Sequence, residues 1–135
     1  MCSIFAVLDI KSGAQKLREQ AIDMSKLLRH RGPDWSGVYS SDNAILVHER
    51  LAIVGVQSGA QPLYNADRSH VLAVNGEIYN HQQLAETLTI DFDFQTQSDC
   101  EVILALYEQQ GSDFLDDLRY HLGFTMTSAM EKRDA

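Results

Sequence analysis

The order of strand-forming and helix-forming stretches is the feature that most restricts how this chain can fold. Short stretches rich in β-branched and aromatic residues dominate its first half, and two longer helical stretches bracket most of them. Strands are predicted at 2–8, at two stretches within 35–54 that a turn at 41–43 separates, at 70–74, at 92–96 and at 122–126. With 135 residues the chain can bury one hydrophobic core. We therefore predict a single domain, residues 1–135, with a layered α/β architecture.

The first long helix is predicted from apolar spacing and from the residues at its ends. Ser12 can cap its beginning, and Gly32-Pro33 stops it. Its apolar stripe consists of Leu17, Ala21, Met24, Leu27 and Leu28. Because these residues recur at steps of three and four, they predict one buried face of an amphipathic helix.

The second long helix is predicted to begin near Ser98, which has capping-box spacing to Glu101. Gly111 marks its end, and shorter helices are predicted over 81–87 and near 114–118. The segment 57–65 contains Gly and Pro and is predicted to be a loop.

The charge balance argues against several classes of partner. The chain has 11 Lys and Arg residues against 19 Asp and Glu residues, a formal net charge of -8, and its pI is about 4.9. A protein that binds nucleic-acid backbone or anionic lipid needs clustered basic charge. No apolar run reaches the roughly 18 residues of a membrane span, and the N-terminus lacks the basic region of a secretory signal. We therefore expect no nucleic-acid partner, no membrane association and a cytoplasmic location.

Motifs for metal or nucleotide binding are absent from the sequence. The five histidines show no metal-ligand spacing, and Cys2 and Cys100 are too few for a disulfide framework. No Gly-rich phosphate-binding loop occurs. We assign no metal and no nucleotide cofactor, and we expect Cys100 to pack on its helix.

Cys2 is the first candidate for chemistry because it follows the initiator Met. A small side chain at this position permits removal of Met1, which would leave a thiol and a free α-amine on one residue. An α-amine has a pKa of about 7.7–8.0 and can act as general base for its own side chain. With Met1 attached, this mechanism is disabled. The alternative, which composition alone favours, is a small apolar residue at the start of a buried strand.

Three further features could activate or bind a substrate. Asn75-Gly76 can present a side-chain amide and a backbone N–H together, as an oxyanion site requires, or can form a plain hairpin turn that ends the strand 70–74. Arg50 can bind a carboxylate through two parallel hydrogen bonds, or can face outward and pair with a neighbouring acid such as Glu49. Asp99 and Glu77 can each bind an ammonium group, or can cap a helix and complement its dipole.

Seven stretches of the sequence together resemble one protein family. They follow the family's order: CSIF at the start, Arg29 to Gly37, His48 to Val54, Gly59 to Asn65, Val71 to His81, Ser98 to Tyr107 and Phe114 to Leu118. The chain resembles the N-terminal glutaminase domain, a class II glutamine amidotransferase, of glutamine-hydrolysing asparagine synthetase of the bacterial B type. RGPD and NGEIYN are similar to this branch and not to the amidotransferases of purine or amino-sugar synthesis.

The resemblance implies a fold and a reaction. The fold is that of the N-terminal-nucleophile hydrolases, an αββα sandwich of two mainly antiparallel sheets between helix layers. Cys2, exposed by loss of Met1, would attack the side-chain amide of L-glutamine to give a γ-glutamyl thioester. Its own amine would take the thiol proton and later protonate the departing ammonia, and water would then release glutamate. Asn75 and the Gly76 N–H would hold the oxyanion.

The resemblance also implies how glutamine binds. Arg50 would bind its carboxylate, Glu77 and Asp99 its α-ammonium group, and the segment 31–35 would lie near the pocket. Backbone that lines the pocket would come from Leu51, Ala52, Ile53 and Val54. Fixed charges of this kind orient a small zwitterion beside the thiol. No cofactor is implied for this half of the enzyme, because ATP and Mg²⁺ serve only the synthetase domain.

Several features depart from the family pattern. Ala6 stands near the nucleophile where the family usually has Gly, and its methyl group is expected to crowd the strand or the pocket. Gln97 replaces a usual Gly and is expected to be strained if that position needs a positive φ. The match weakens after Leu118, and no stretch resembles the ATP-using synthetase domain. The chain alone is therefore expected not to make asparagine, to leave a sheet edge or part of its core uncovered, and to be weakly stable or to form a homo-oligomer.

The leading prediction is a glutaminase that hydrolyses glutamine to glutamate and ammonia for a synthetase partner. One alternative is a catalytically inactive remnant that binds glutamine or serves in assembly, which Ala6, Gln97 and the early end of the family match indicate. A cysteine peptidase is less favoured, because no histidine stands out as a partner for the Cys2 thiol.

Overall fold

The computed structural model describes residues 2–52 and 60–128. The strands are β1 (Ser3–Leu8), β2 (Trp35–Ser40), β3 (Ala44–Arg50), β4 (Leu63–Tyr64), β5 (His70–Ile78) and β6 (Tyr120–Ser128). The helices are α1 (Ala14–Lys26), α2 (His81–Glu86) and α3 (Val102–Gln110), with 3-10 helices at Asp99–Glu101 and Gly111–Asp117. No helix in the described ranges is long and apolar enough to cross a membrane.

The first sheet has the order β1-β3-β2, and all its pairs are antiparallel. Successive residues of β3 point to opposite faces. Ile45 and Val47 point outward and pack against Ala21 and Leu17 of α1. Since β3 lies between two partners, it is buried along nearly its whole length. The amphipathic helix therefore forms the outer layer on this side.

The second sheet has the order β4-β5-β6, again antiparallel. On its outer face Leu72 and Val74 pack with Leu84 of α2 and with Ile103 and Leu106 of α3. Residues 102–106 are all buried, which explains why α3 is apolar around most of its circumference.

The inner faces of the two sheets meet at Leu46, Val71 and Ala73, with Ile4 and Tyr39 packed beside them. The layers in order are α1, the first sheet, the second sheet, and α2 with α3. This arrangement confirms the predicted fold class, a layered α/β domain in which two antiparallel sheets lie between helices.

The helix α1 differs from its sequence prediction at both ends and on its buried face. Gly13, not Ser12, precedes the first turn, and the helix ends at Lys26, before Gly32-Pro33. Met24 and Leu27 are 52% and 75% exposed, whereas Ser25 is buried. The Ser25 hydroxyl donates to Glu49 Oε1 at 2.8 Å. This bond turns a polar position toward the sheet, which a rule based on apolar spacing does not anticipate.

The strand predicted at 92–96 does not form. The backbone N–H groups of Gln95 and Thr96 donate to the two carboxylate oxygens of Glu101, at 2.6 and 2.8 Å, instead of to a neighbouring strand. Glu101 is fully buried, and it uses both oxygens in this way rather than completing a capping box with Ser98. Ser98 still acts as the cap, because its hydroxyl accepts the Cys100 N–H at 3.3 Å.

Asn75-Gly76 is not a turn, so the prediction that β5 ends at 74 is wrong. β5 continues to Ile78 and pairs with β6 over its whole length, with Asn75 opposite Gly123. The long ladder outweighs the local preference of Asn-Gly for a hairpin. The predicted loop at 57–65 likewise contains a short strand, β4, while its residues 57–59 lie outside the described part of the chain.

Candidate active site

An open cavity of about 450 Å³ lies between β1 of the first sheet and β6 of the second. Cys2 lines it from the N-terminal side, and Asn75 lines it from β5. Ala6 and Arg31 also border it. Two residues predicted to carry the reaction, the nucleophile and an oxyanion donor, therefore face one space although 73 positions of sequence separate them.

The backbone of Leu51 holds the Cys2 side chain in place. The Leu51 N–H donates to Cys2 Sγ at 3.4 Å, and the thiol lies 3.8 Å from the Leu51 carbonyl oxygen. Ser3 pairs with Glu49 in the ladder, so the chain that precedes β1 lies beside the end of β3. The half-buried sulfur is thus adjacent to the segment that begins with Arg50.

Arg50 is half-buried at the end of β3, opposite Trp35 of β2. Its carbonyl accepts the Asp34 N–H at 3.0 Å, and Asp34 Oδ2 accepts the Ala52 N–H at 2.8 Å. Asp34 therefore fixes the backbone on both sides of Leu51. Glu49 points to the opposite face of β3, where the hydroxyls of Ser25 and Ser36 donate to its carboxylate. Ile53 and Val54, the other predicted lining residues, lie outside the described residues.

Asn75 and Gly76 present their polar groups from adjacent positions of one strand. The Gly76 carbonyl accepts the Cys100 thiol at 3.7 Å, on the side of β5 that faces away from β6. In an antiparallel strand the N–H and C=O of one residue point to the same side, so the Gly76 N–H also faces away from β6. The strand therefore offers a side-chain amide and a backbone N–H close together, as an oxyanion site requires.

Glu77 lies farther along β5, and Asp99 begins the 3-10 helix that packs beside this strand. Asp99 Oδ2 accepts the Ile78 N–H at 2.6 Å, which attaches the beginning of the 3-10 helix to β5. Glu77 is exposed and shares a face of β5 with Asn75, because the two residues are two positions apart. The structure thus brings Cys2, Leu51 and Asn75 together. Arg50 and Glu77 adjoin these residues along the chain, and Asp99 contacts β5 at Ile78. None of the three lines the cavity itself.

Cys100 is buried in the 3-10 helix before α3, and its thiol donates to the Gly76 carbonyl of β5. The sequence predicted that it packs on its helix, without identifying this contact. Burial, followed by the negative charge of Asp99, raises the pKa of the Cys100 thiol well above its ordinary value. The thiol therefore stays protonated near neutral pH. Within the described residues, the thiol contacts the Gly76 carbonyl, and Cys100 packs in the core with residues of α3.

The two cysteines should differ in reactivity. With iodoacetamide near pH 8 we expect Cys2 to be alkylated at least about tenfold faster than Cys100, because the thiolate is the reactive form and Cys100 is both buried and protonated. Peptide mass spectrometry at timed intervals measures both rates. The urea-unfolded chain serves as the control, in which the two rates should converge. Equal rates in the folded chain would contradict the environment described for Cys100.

His48 is a buried residue whose place near the site was not anticipated. It is fully buried, its Nε2 lies 2.9 Å from the Val74 carbonyl oxygen, and its Nδ1 has no hydrogen-bond partner among the described residues. Burial lowers the pKa of His48 below its ordinary 6.5, the bond to Val74 opposes this, and the charge of Arg50 lowers it further. The ring is therefore neutral, with its proton on Nε2. The signal available from the sequence was its position at the start of HERLAIV, residues 48–54, one of the stretches that resemble the family.

The lowered pKa of His48 makes stability depend on pH. The unfolded chain takes up a proton at His48 more readily than the folded one, so the stabilisation is complete above about pH 6.5 and is lost as the pH falls through the folded-state pKa. We expect the free energy of unfolding to decrease as the pH falls below about 6.5, and His48→Gln to flatten this part of the curve. Urea unfolding over a pH series measures it. His30→Gln, at an exposed turn, should keep the slope, and a His48→Gln curve with the full slope would contradict this assignment.

The departures from the family pattern have small structural consequences. Ala6 is exposed and borders the cavity, so its methyl group is not forced into a packed region. Gln97 does not adopt a positive φ, and the expected strain is absent. Within the described part of the chain, Asp9 and Arg68 are the non-glycine residues with positive φ. Neither Ala6 nor Gln97 therefore gives a structural reason for inactivity.

Arg31 was predicted only as part of a neighbouring loop, yet it borders the cavity beside Cys2. Gly32 explains this close approach, because a Cβ there would lie 2.2 Å from the Glu49 carbonyl oxygen. Across residues 2–52 and 60–128, no three His, Cys, Asp or Glu side chains are grouped closely enough to hold a metal ion.

Comparisons with known proteins give one consistent result. A family model described as a glutamine amidotransferase domain matches residues 1–133. Asparagine synthetase B [glutamine-hydrolyzing] of Escherichia coli (strain K12) is 63% identical over 126 residues, which cover 93% of this chain and 23% of that protein. A probable asparagine synthetase [glutamine-hydrolyzing] of Dictyostelium discoideum is 53% identical over 128 residues, with 93% and 23% covered.

A plant relative gives the same result. Asparagine synthetase [glutamine-hydrolyzing] 3 of Arabidopsis thaliana is 48% identical over 132 residues, which cover 98% of this chain and 23% of that protein. The chain thus spans about a quarter of the length of these curated relatives and matches one part of each. The resemblance inferred from the sequence motifs is confirmed.

Proposed function

Because this chain belongs to the glutamine amidotransferase domain family, we propose that it hydrolyses L-glutamine to glutamate and ammonia through a thioester on Cys2. The observation that carries the proposal is the shared cavity: Cys2 and Asn75 line one open space, and Leu51 fixes the sulfur beside Arg50. A nucleophile next to an amide donor suits attack on a carbonyl carbon. We also propose that residues 1–135 form one domain.

The proposed reaction has two steps. After loss of Met1, the Cys2 amine takes the thiol proton, and the sulfur attacks the glutamine side-chain carbon while Asn75 and the Gly76 N–H hold the oxyanion. The C–N bond then breaks, and the amine returns the proton to the departing ammonia. Water, deprotonated by the same amine, attacks the thioester and releases glutamate and the free thiol.

The charges around Asn75 and Cys2 suit a free amino acid. Arg50 is proposed to bind the α-carboxylate, and Asp99 and Glu77 the α-ammonium group. Backbone from residues 51–54 would line the pocket. Because Asp99 is anchored to β5 through Ile78 and Arg50 is anchored through Asp34, both charges are held on rigid elements. Such fixed charges favour one orientation of the substrate and reduce the entropy lost at the transition state.

We further propose that the ammonia serves a synthetase partner that makes asparagine in the cytoplasm. The names of the relatives describe asparagine synthetases that hydrolyse glutamine, and this chain matches 23% of their length. ATP and Mg²⁺ would be needed only by that partner, and the glutaminase step uses no metal or cofactor. Assembly with the partner or into a homo-oligomer would also cover the open side of the cavity.

The direct test is release of glutamate and ammonia from L-glutamine by the full chain after intact mass shows that Met1 is removed. We expect one ammonia per glutamate. We also expect little turnover of D-glutamine, because the fixed charges select one enantiomer of the substrate. The same chain with Met1 retained is the matched control and should be inactive, since Cys2 then has no free amine. Binding of glutamine without turnover by the processed chain would instead support the inactive binding module.

A further inference from the structure

Val74, the residue before Asn75, has both of its backbone groups bound by side chains. Its N–H donates to Gln61 Oε1 at 2.6 Å, and its carbonyl accepts from His48 Nε2 at 2.9 Å. Residues inside a sheet usually bind a neighbouring strand through these groups. At this point a side chain from β3 of the other sheet and one from the segment before β4 replace the strand.

The reason is that β4 is too short to reach this position. It pairs Leu63 with Leu72 and Tyr64 with Val71, and the same register continued by two residues would set Gln61 opposite Val74. The main chain at Gln61 instead runs toward the first sheet, where a Cβ on Gly37 would lie 1.7 Å from the Gln61 carbonyl oxygen. The carboxamide of Gln61 therefore extends back to Val74 in place of its backbone.

His48 binds the carbonyl of Val74 from the first sheet. It stands directly opposite Gly37 in the β2–β3 register, and its ring is fully buried. Because Nδ1 has no acceptor among the described residues, the proton lies on Nε2, where it is donated to Val74. A neutral ring in this state is a donor of fixed direction.

We propose that His48 and Gln61 are positioning residues for glutamine hydrolysis, because together they fix Val74 and so set the place of Asn75 in the cavity. The inference rests on the proposed function and deepens it. It assigns no contact with glutamine to either residue. An oxyanion donor binds mainly the charge that develops in the transition state. A small displacement of this donor therefore weakens binding of the transition state far more than binding of the substrate.

The test compares His48→Leu with His48→Gln in the processed full chain. His48→Leu removes the donor, and we expect kcat for glutamine hydrolysis to fall about 10- to 100-fold with KM changed less than about threefold. His48→Gln keeps an N–H donor at a similar reach and should recover kcat to within about threefold of wild type. His70→Leu, at the far end of β5, is the matched control and should change kcat little.

Two readouts separate positioning from simple loss of folding. Alkylation of Cys2 by iodoacetamide needs no oxyanion donor, so its rate should change less than about twofold in His48→Leu. Hydrogen exchange in the segment 73–77 should increase in His48→Leu and stay near wild type in His48→Gln. If His48→Leu does not fold, Gln61→Leu provides the same comparison, with Gln61→Glu retaining an acceptor for the Val74 N–H.

The outcomes distinguish this inference from the proposed function. An active wild type together with an unchanged kcat in His48→Leu overturns the positioning role alone. Loss of activity in His48→Gln equal to that in His48→Leu, or a changed pH profile of kcat in His48→Gln, also overturns it, because either result makes His48 a proton carrier or a packing residue. A processed wild type that does not turn over glutamine overturns the proposed function and this role together.

Discussion

Replacing Cys2 by alanine is expected to lower kcat for glutamine hydrolysis by at least about 10⁴-fold, since it removes the atom that forms the thioester. The α-amine, Asn75 and the substrate charges would remain, but none of them supplies a comparable nucleophile. Coupled detection of glutamate over long incubations measures the loss. Only Cys2 among the two cysteines faces the cavity, so no second thiol is in place to substitute for it.

The control for Cys2→Ala is binding of glutamine. The substitution shortens a half-buried side chain whose polar contacts are to Leu51 backbone, so the fold and the charges at Arg50 and Asp99 should persist. Calorimetry should therefore detect glutamine binding to the processed variant with an affinity within about tenfold of wild type. Turnover by Cys2→Ala above one per cent of wild type would rule out the thioester route.

Replacing Asn75 by alanine is expected to lower kcat about 100- to 1000-fold, with a much smaller effect on KM, because the amide donates mainly to the charge that develops in the transition state. Steady-state hydrolysis of glutamine separates the two constants. The fold should tolerate the change, since Asn75 is only half-buried and its backbone pairing with Gly123 does not depend on its side chain.

Asn43→Ala is the matched control for Asn75→Ala. Asn43 lies in the turn between β2 and β3, where its side-chain oxygen accepts the Ser41 hydroxyl. The substitution Asn43→Ala removes a side-chain amide, as Asn75→Ala does, but at a site away from the cavity. Its kcat should therefore stay within about twofold of wild type. A rise in KM with unchanged kcat in Asn75→Ala would mean that Asn75 binds the ground state and is not an oxyanion donor.

The layers of the fold were predictable because they depend on local patterns. Local signals exist for the apolar stretch of β1, for the turn that separates β2 from β3, and for α3, which follows the 3-10 helix capped by Ser98 and has Gly111 as its C-cap. Where prediction failed, a distant partner decided the outcome. The Glu101 carboxylate accepts hydrogen bonds from the backbone N–H groups of residues 95 and 96, and pairing with β6 keeps Asn75-Gly76 in a strand. Neither partner can be identified from the local sequence.

The candidate site was predictable in its residue types and only partly in its geometry. The position of Cys2 after Met1 indicated an N-terminal nucleophile, and the family resemblance named Arg50, Asn75 and Asp99. Their spatial relation depends on the pairing of β1 with β3 and on the stacking of two sheets, which residue patterns do not specify. His48 went unassigned for the same reason: its partner, Val74, is 26 positions away and belongs to the other sheet.

Intact mass spectrometry of the processed chain, quenched in acid during turnover of L-glutamine, tests the central claim most directly. We expect a population heavier by one γ-glutamyl group, located on Cys2 by peptide mapping. It should be absent from Cys2→Ala and removed by hydroxylamine, which cleaves thioesters. The contradicting result is steady release of ammonia from glutamine by a chain that carries no adduct on Cys2 at any quench time and loses no activity when Cys2 is alkylated.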